Sequence, residues 1–196
     1  MDIYEKAGLP LALVSWRGSV ETPEAEPAAV EASRLFELQR SPVFRYLLSF
    51  GLPSHECEEI VQEVFLSLFL HLRAGKPRQN LAGWIFRVAH NLGLKRRIRL
   101  GSGLVVPFAP NLADQHLDPA PNAEQQMVAA QRHRKLRAVV SALSEQDRQC
   151  LFLRAEGLRY REIADVLGVS LGTVSACLVR ALDKLKRVDS LEGGID

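Results

Sequence analysis

Residues 157–187 read GLRYREIADVLGVSLGTVSACLVRALDKLKR, and the spacing within this stretch decides the fold class. Tyr160 to Leu167 predicts a short helix with Ile163, Ala164 and Leu167 turned inward. Gly168-Val169-Ser170 predicts a tight turn. Gly168 suits the left-handed conformation after a helix end, and Ser170 suits the N-cap of the next helix. From Leu171 to Arg187, the residues Val174, Leu178, Ala181, Leu182 and Leu185 recur as one buried helical stripe. A short helix, a glycine turn and a longer helix describe a helix-turn-helix, with small Ala164 permitting a close crossing. In such a motif the N-terminal end of the second helix enters the major groove. That exposes Leu171, Gly172, Thr173, Ser175 and Ala176 to bases or phosphates. Arg180, Lys184 and Lys186 lie further along, within reach of the DNA backbone, and Arg154, Arg159 and Arg161 flank the first helix. The alternative is a plain αα-hairpin in a helical bundle, its arginines being solvated surface charge.

Upstream, Ala123 to Leu143 predicts a helix with Leu136, Val139, Val140 and Leu143 on one side. Ser144-Glu145-Gln146-Asp147 resembles a capping box, with Asp in place of the usual Glu or Gln, and opens a helix that stops near Gly157.

A second helical module precedes this one. Pro53-Ser54 opens a helix with Ser54 as expected N-cap and Glu56, Glu58 and Glu59 at its positive end. Ile60, Val61, Val64, Phe65, Leu68, Phe69 and Leu72 form one wide apolar stripe; Glu59, Gln62 and Glu63 lie off it and are expected to face out. Gly75-Lys76-Pro77 breaks the helix. Leu81 to Arg99 predicts the next, with Leu81, Trp84, Ile85, Val88, Ala89 and Leu92 inward and Arg87, His90, Asn91 and Lys95 on the other face. It ends in Lys95-Arg96-Arg97-Ile98-Arg99. A helix C-terminus favours one or two cations. Four of them, with Arg87 and Asn91 upstream, point instead to a surface for phosphates and base edges. An earlier helix, Ala29 to Phe50 with an interruption near Pro42, is expected to pack on these two.

The chain has 196 residues, 25 Lys and Arg, 23 Asp and Glu, and a formal net charge of +2. Its 47% apolar and 24% charged content excludes wholesale disorder and a disulfide scaffold. No apolar run approaches the ~18 residues of a membrane span. The charge is uneven: −4 over residues 1–33, +6 over 34–100, −2 over 101–122 and +2 over 123–196. Pro107, Pro110, Pro119 and Pro121 mark 101–122 as an extended linker of at most roughly 75 Å. The expected division is therefore a weakly ordered extension (1–33), a helical domain (34–100), the linker (101–122) and a second helical domain (123–190). The fold class is all-α: two small helical domains joined by an extended linker, the second carrying the helix-turn-helix. Cys57, Cys150 and Cys177 fit no metal spacing and read as buried thiols.

Several of these stretches resemble bacterial RNA polymerase sigma factors of the extracytoplasmic-function group. Residues 58–66, EEIVQEVFL, resemble their acidic polymerase-binding helix. Residues 80–91, NLAGWIFRVAHN, with the basic run that follows, resemble their promoter-melting segment. Residues 143–148 and 157–186 resemble their minus-thirty-five domain. The resemblance implies a protein that does no covalent chemistry. It would bind core RNA polymerase through Glu59, Gln62 and Glu63. Asn80, Trp84, Arg87, Asn91, Lys95, Arg96 and Arg97 would open minus-ten DNA, with a flipped base held near Asn80. The second domain would read minus-thirty-five DNA through Arg159, Arg161, Ser170, Leu171, Thr173, Ser175, Ala176, Arg180 and Lys184. Family members often carry Lys or Arg where this chain has Ser175 and Cys177, and Ser where it has Arg159. The implied partners are core polymerase, promoter DNA and an anti-sigma protein that holds the factor inactive. No cofactor, metal or membrane insertion is implied, and the implied location is cytoplasmic. The competing reading is a stand-alone helix-turn-helix regulator of duplex operators. It leaves the acidic face of residues 59–63 and the basic helix after Trp84 unexplained. No nucleotide-binding loop, nucleophile elbow or clustered metal ligands support an enzyme.

Overall fold

The computed structural model describes the backbone of residues 25–101, 131 and 134–190, and side chains within that range from residue 27 to residue 187. The described regular structure is entirely α-helical: α1 Ala25–Leu48, α2 Ser54–Arg73, α3 Leu81–Leu100, α4 Glu145–Ala155, α5 Tyr160–Leu167 and α6 Leu171–Ser190. Residues 134–141, before α4, are also helical. The linker over 101–122 lies outside the described residues except Gly101.

The helix α1 begins at Ala25, inside the stretch expected to be weakly ordered, and runs without interruption past Pro42. The expected break fails for a physical reason. Proline removes one intrahelical bond, to the carbonyl four residues back. That carbonyl belongs to Leu38, which is exposed, so water can satisfy it. Packing of Ala28, Ala32, Val43, Tyr46 and Leu47 on either side holds the helix straight through. Ser54 is the first residue of α2 rather than its cap; Pro53 occupies the cap position and no side chain bonds there.

The helices α1, α2 and α3 pack pairwise around Tyr46, Phe50, Ile60, Leu68, Ile85 and Phe86, all fully buried. Tyr46 meets Phe50 and Phe86 edge-on at 5.4 and 5.6 Å, and Phe36 meets Phe65 edge-on at 5.1 Å. Such pairs add roughly 0.5–1.5 kcal/mol beyond burial. Gly93 lets α3 approach α1: a Cβ there would stand 3.1 Å from the Leu47 side chain.

His90, expected on the polar face of α3, is buried instead, and its Nδ1 and the Tyr46 hydroxyl share a hydrogen bond of 2.8 Å. Helix α3 is covered on several sides, by α1, α2 and α5, so more than one stripe of it is apolar in effect. Burial pulls the His90 pKa down to about 4.

In the second unit α4 and α5 pack on α6. Ser144 caps α4, its Oγ accepting from Asp147 N at 3.2 Å. Gly168 takes the expected left-handed conformation at φ 67° and ψ 33°, and the Ser170 hydroxyl accepts from Thr173 N at 3.1 Å. Ile163, Val174, Cys177, Leu178 and Ala181 fill the core. One expected core position differs: Leu182 is largely exposed; Leu167 packs against the core while partly buried, and Val166, not expected inward, is buried as well. All three cysteines are buried free thiols; burial pushes the Cys57 and Cys150 thiols up to about 12, which leaves them protonated and unreactive.

Candidate functional site

Three surfaces carry the residues singled out from the sequence. The first is the outer face of α2. Glu59 and Gln62 are exposed and Glu63 is half-buried. The same face extends into a groove of about 470 Å³ between α1 and α2. It is lined by Phe36, Arg40, Phe44, Glu58 and Val61 beside Gln62, with the Arg40 guanidinium 5.6 Å from the Phe36 ring centroid. The sequence reading missed this groove. The only signal was the apolar pair Phe36 and Phe44 on a helix expected to break at Pro42.

The second surface is α3. Asn80, Trp84, Arg87, Asn91 and Lys95 recur every three or four residues and so share one face. Asn80 is exposed and takes a left-handed conformation (φ 52°), and its Oδ1 accepts from Gly83 N at 3.1 Å. Its amide therefore caps α3 as well as standing at the surface. Trp84 is half-buried with its ring 4.7 Å from the His71 ring. His71 in turn bonds the Pro77 carbonyl at 2.9 Å, which ties the α2–α3 connection to the indole.

The basic end of α3 divides. Arg96 is mostly buried and pairs with Glu56 and, at 2.8 Å, with Glu59. It braces the C-terminal end of α3 against the N-terminal end of α2, so it faces away from the stripe that carries Arg87 and Asn91. This separates Arg96 from the DNA-facing set in which the sequence placed it. The ends of α2 and α3 attract each other for the same electrostatic reason each favours its own charges. Arg97 pairs with Glu145 at the start of α4, and Arg87 stands 3.8 Å from Asp165 of α5.

The third surface is the helix-turn-helix. Its two helices are bent 104° from each other, within the range of such motifs. Leu171, Gly172, Ser175 and Ala176 are exposed at the start of α6, with Thr173 half-buried. The hydroxyls of Ser170 and Thr173 bond each other at 2.8 Å, and Ser170 also serves as the cap. Both therefore define the helix start before they touch anything else. Arg159 and Arg161 are exposed and, with Arg154, Tyr160 and Glu162, line an open recess of about 590 Å³. The Arg154 guanidinium lies 5.9 Å from the Tyr160 ring centroid and donates to the Leu158 carbonyl at 3.1 Å.

Arg180 and Lys184 are exposed, and both bond groups of their own unit. Arg180 donates to Oδ1 of buried Asp147 at 2.7 Å through Nη2 and 3.2 Å through Nε, and to Oδ2 at 3.4 Å through Nε. Burial alone would raise the Asp147 carboxyl; the Arg180 and Ser144 hydrogen bonds outweigh it and hold its pKa below the ordinary value. Lys184 Nζ donates to the Ala142 carbonyl at 3.3 Å. These contacts stitch α6 to α4 and to the chain before it. No group of His, Cys, Asp or Glu among the described residues is arranged to hold a metal ion. No single helix among them is long and apolar enough to cross a membrane.

Comparison with known proteins agrees with this partition. The family description "Sigma-70 region 2" matches residues 35–100, and "Sigma-70, region 4" matches residues 133–185, together more than half of the chain. The chain is 30% identical over 145 residues to the ECF RNA polymerase sigma factor SigE of Mycolicibacterium smegmatis, covering 74% of this chain and 56% of SigE. It is 24% identical over 159 residues to the ECF RNA polymerase sigma factor SigM of Bacillus subtilis, covering 78% of this chain and 91% of SigM. Among solved structures, the sigma factor RpoE in complex with the anti-sigma factor NepR from Bartonella quintana superposes with a TM-score of 0.58. That match is at 16% identity and covers 84% of this chain and 98% of RpoE. CnrH in complex with the cytosolic domain of CnrY gives a TM-score of 0.52 at 22% identity, over 88% of this chain and 99% of CnrH. The structural matches support the fold.

Proposed function

Because this chain belongs to the sigma-70 family, within its extracytoplasmic-function group, we propose that it binds core RNA polymerase, directs it to specific promoters and helps to melt the minus-ten DNA. The observation that carries this reading is the presence, in one chain and in family order, of region 2 and region 4 matches on two helical units with the expected surfaces. The chain itself performs no covalent chemistry; the polymerase does. It works in the cytoplasm, where polymerase and promoter meet.

The residues divide the task. Glu59, Gln62 and Glu63, with the adjoining α1–α2 groove, meet the polymerase. The groove supplies apolar area and the carboxylates supply register, the usual division between hydrophobic core and polar rim in an interface. On α3, Trp84 and Asn80 stand beside the connection from α2, with Arg87, Asn91 and Lys95 one turn apart below. Unstacking a base costs a few kcal/mol, offset by such contacts to the exposed strand. Arg97, on the flank of that stripe at the end of α3, neutralises backbone charge. Arg96 acts indirectly, by fixing α3 to α2.

At the minus-thirty-five element, α6 enters the major groove with Leu171, Thr173, Ser175 and Ala176 at the base edges. Ser170 and the free amides at the start of α6 approach a phosphate. Arg159 and Arg161 grip the backbone beside it. Arg180 and Lys184 serve mainly to set the angle of α6. With small side chains at 175 and 176, readout leans on apolar contact and DNA shape more than on bidentate hydrogen bonds. An anti-sigma protein is the further partner, as NepR is in the RpoE complex.

The test is core binding by a Gln62→Lys/Glu63→Lys variant, which leaves the Glu59–Arg96 pair intact. Binding to core polymerase falls by about tenfold or more, while thermal stability and duplex DNA binding stay as in the parent. Unchanged core affinity moves the polymerase contact elsewhere. DNA binding with no polymerase complex in the parent itself supports the stand-alone regulator.

A further inference from the structure

The connection between α2 and α3, residues 74–80, is irregular and tied down along its length. His71, in the last turn of α2, is engaged twice. Its ring centroid lies 4.7 Å from that of Trp84, and its Nε2–H donates to the Pro77 carbonyl at 2.9 Å. One residue further on, Arg78 Nη1 donates to Glu31 Oε2 of α1 at 2.7 Å. At the end of the connection Asn80 bonds forward into α3. Its Oδ1 accepts from Gly83 N at 3.1 Å and its carbonyl from Trp84 N at 3.0 Å. Asn80 is also the one non-glycine residue with positive φ among the described residues. A residue stays in that sparsely populated region only where its surroundings hold it. Pro77, Arg78 and Asn80 are all exposed, so the order of the connection rests on these ties more than on packing.

Resting on the reading of α3 as the minus-ten face, we infer that His71 and Glu31 are positioning residues for minus-ten recognition. They hold residues 74–80 where an unstacked base meets Asn80 and Trp84. Such a base is read by hydrogen bonds to its edge and by stacking on an aromatic face. Discrimination therefore depends on where the polar groups stand relative to that face. Here one imidazole fixes both: its ring rests against the indole, and its Nε2 holds the Pro77 carbonyl three residues before Asn80. The Glu31–Arg78 pair adds a second restraint, from α1. That pair is partly exposed, so alone it contributes little and weakens with salt. The histidine bond is the principal tie. Neither His71 nor Glu31 has to touch DNA. With the ties broken the same contacting groups remain, but they sample more positions, and a wrong base is accommodated nearly as well as the right one. The cost falls on selectivity at the bases beside Asn80.

The experiment uses the full chain on core RNA polymerase and a promoter from which that complex initiates, with each minus-ten and minus-thirty-five base substituted in turn. The readout is the ratio of transcripts from the parent promoter to those from each substituted one. In His71→Phe/Glu31→Gln the ratio falls about fivefold or more at one or two adjacent minus-ten positions. Across the minus-thirty-five element it keeps the parent value. Phe retains a ring against Trp84 and removes only the donor to Pro77. His71→Gln returns an N–H at the place of Nε2 and restores most of the selectivity. At low salt Glu31→Gln alone moves the same positions in the same direction by a smaller factor, which keeps the role testable should the double variant fold poorly. Ratios equal to the parent's in both the double and the Glu31→Gln chains overturn the positioning role while leaving the sigma reading intact. A loss spread evenly over both elements, or a His71→Gln chain as unselective as the double variant, also overturns it. Failure of the parent chain to initiate with core polymerase would strike the sigma reading itself, and the positioning role with it.

Discussion

The two helical units reach stability by different routes. The first is held by a fused aromatic and aliphatic core spanning Tyr46, Phe50, Ile60, Leu68 and Phe86, drawn from three helices of 20 residues or more. The second has short helices of 11 and 8 residues before α6. It relies on local devices: the Ser144 and Ser170 caps, the left-handed Gly168 and the Asp147–Arg180 pair. A large core tolerates the loss of any one cap, whereas a small unit built from caps loses its geometry piece by piece. The proposed polymerase-binding surface thus sits on the unit with the larger core, and the proposed DNA-reading helix sits on the one whose angle is set by a few polar contacts.

The largest effect that sharpens this contrast is in the first unit. Phe86→Ala costs about 3–5 kcal/mol, measured by urea denaturation. A cost under about 1 kcal/mol would mean the aromatic cluster does not hold that unit together.

Next comes pH. His90 titrates near 6.5 unfolded and about 4 folded, so the unfolded chain binds the extra proton between those values. Stability from this group is full above pH 6.5 and falls as pH drops toward 4, by up to about 3 kcal/mol. His90→Gln, which can still bond Tyr46, flattens that slope.

Asp147 marks the second unit with a separate window. Its folded pKa is below the ordinary 3.8, so its contribution persists above that value and disappears only as pH falls through the lower one. Asp147→Ala costs about 1–3 kcal/mol at neutral pH and weakens duplex binding more than core-polymerase binding. Equal weakening of both would dissolve the distinction between the units. The smallest effect is Ser170→Ala, about 1 kcal/mol, read as a lower melting temperature with helix content nearly unchanged.

The same contrast explains what was legible in the sequence. The helix-turn-helix is written in neighbours: Gly168, Ser170 and the stripe Val174, Leu178 and Ala181 act within a few residues of each other, and they fold as read. The first unit is written in distant pairs. Arg96 meets Glu56 across 40 residues, and Tyr46 meets His90 across 44. Residue chemistry alone put both Arg96 and His90 on an outward face. The continuity of α1 past Pro42 was hidden because tertiary packing overrode a local breaker. The pairing of Arg180 with Asp147, 33 residues earlier, is not legible in the sequence, because Asp147 carries no local sign that it is buried. The acidic face of α2 followed directly from helical spacing, but the groove beside it depends on how α1 lies on α2.

The most direct test of the central claim is run-off transcription from a pool of genomic DNA fragments with purified core RNA polymerase, with and without this chain. Transcripts are expected to start at a small set of discrete sites sharing minus-thirty-five and minus-ten elements, and only when the chain is added. Transcription unchanged by the chain, with any inhibitor removed beforehand by denaturation and refolding, would contradict that claim.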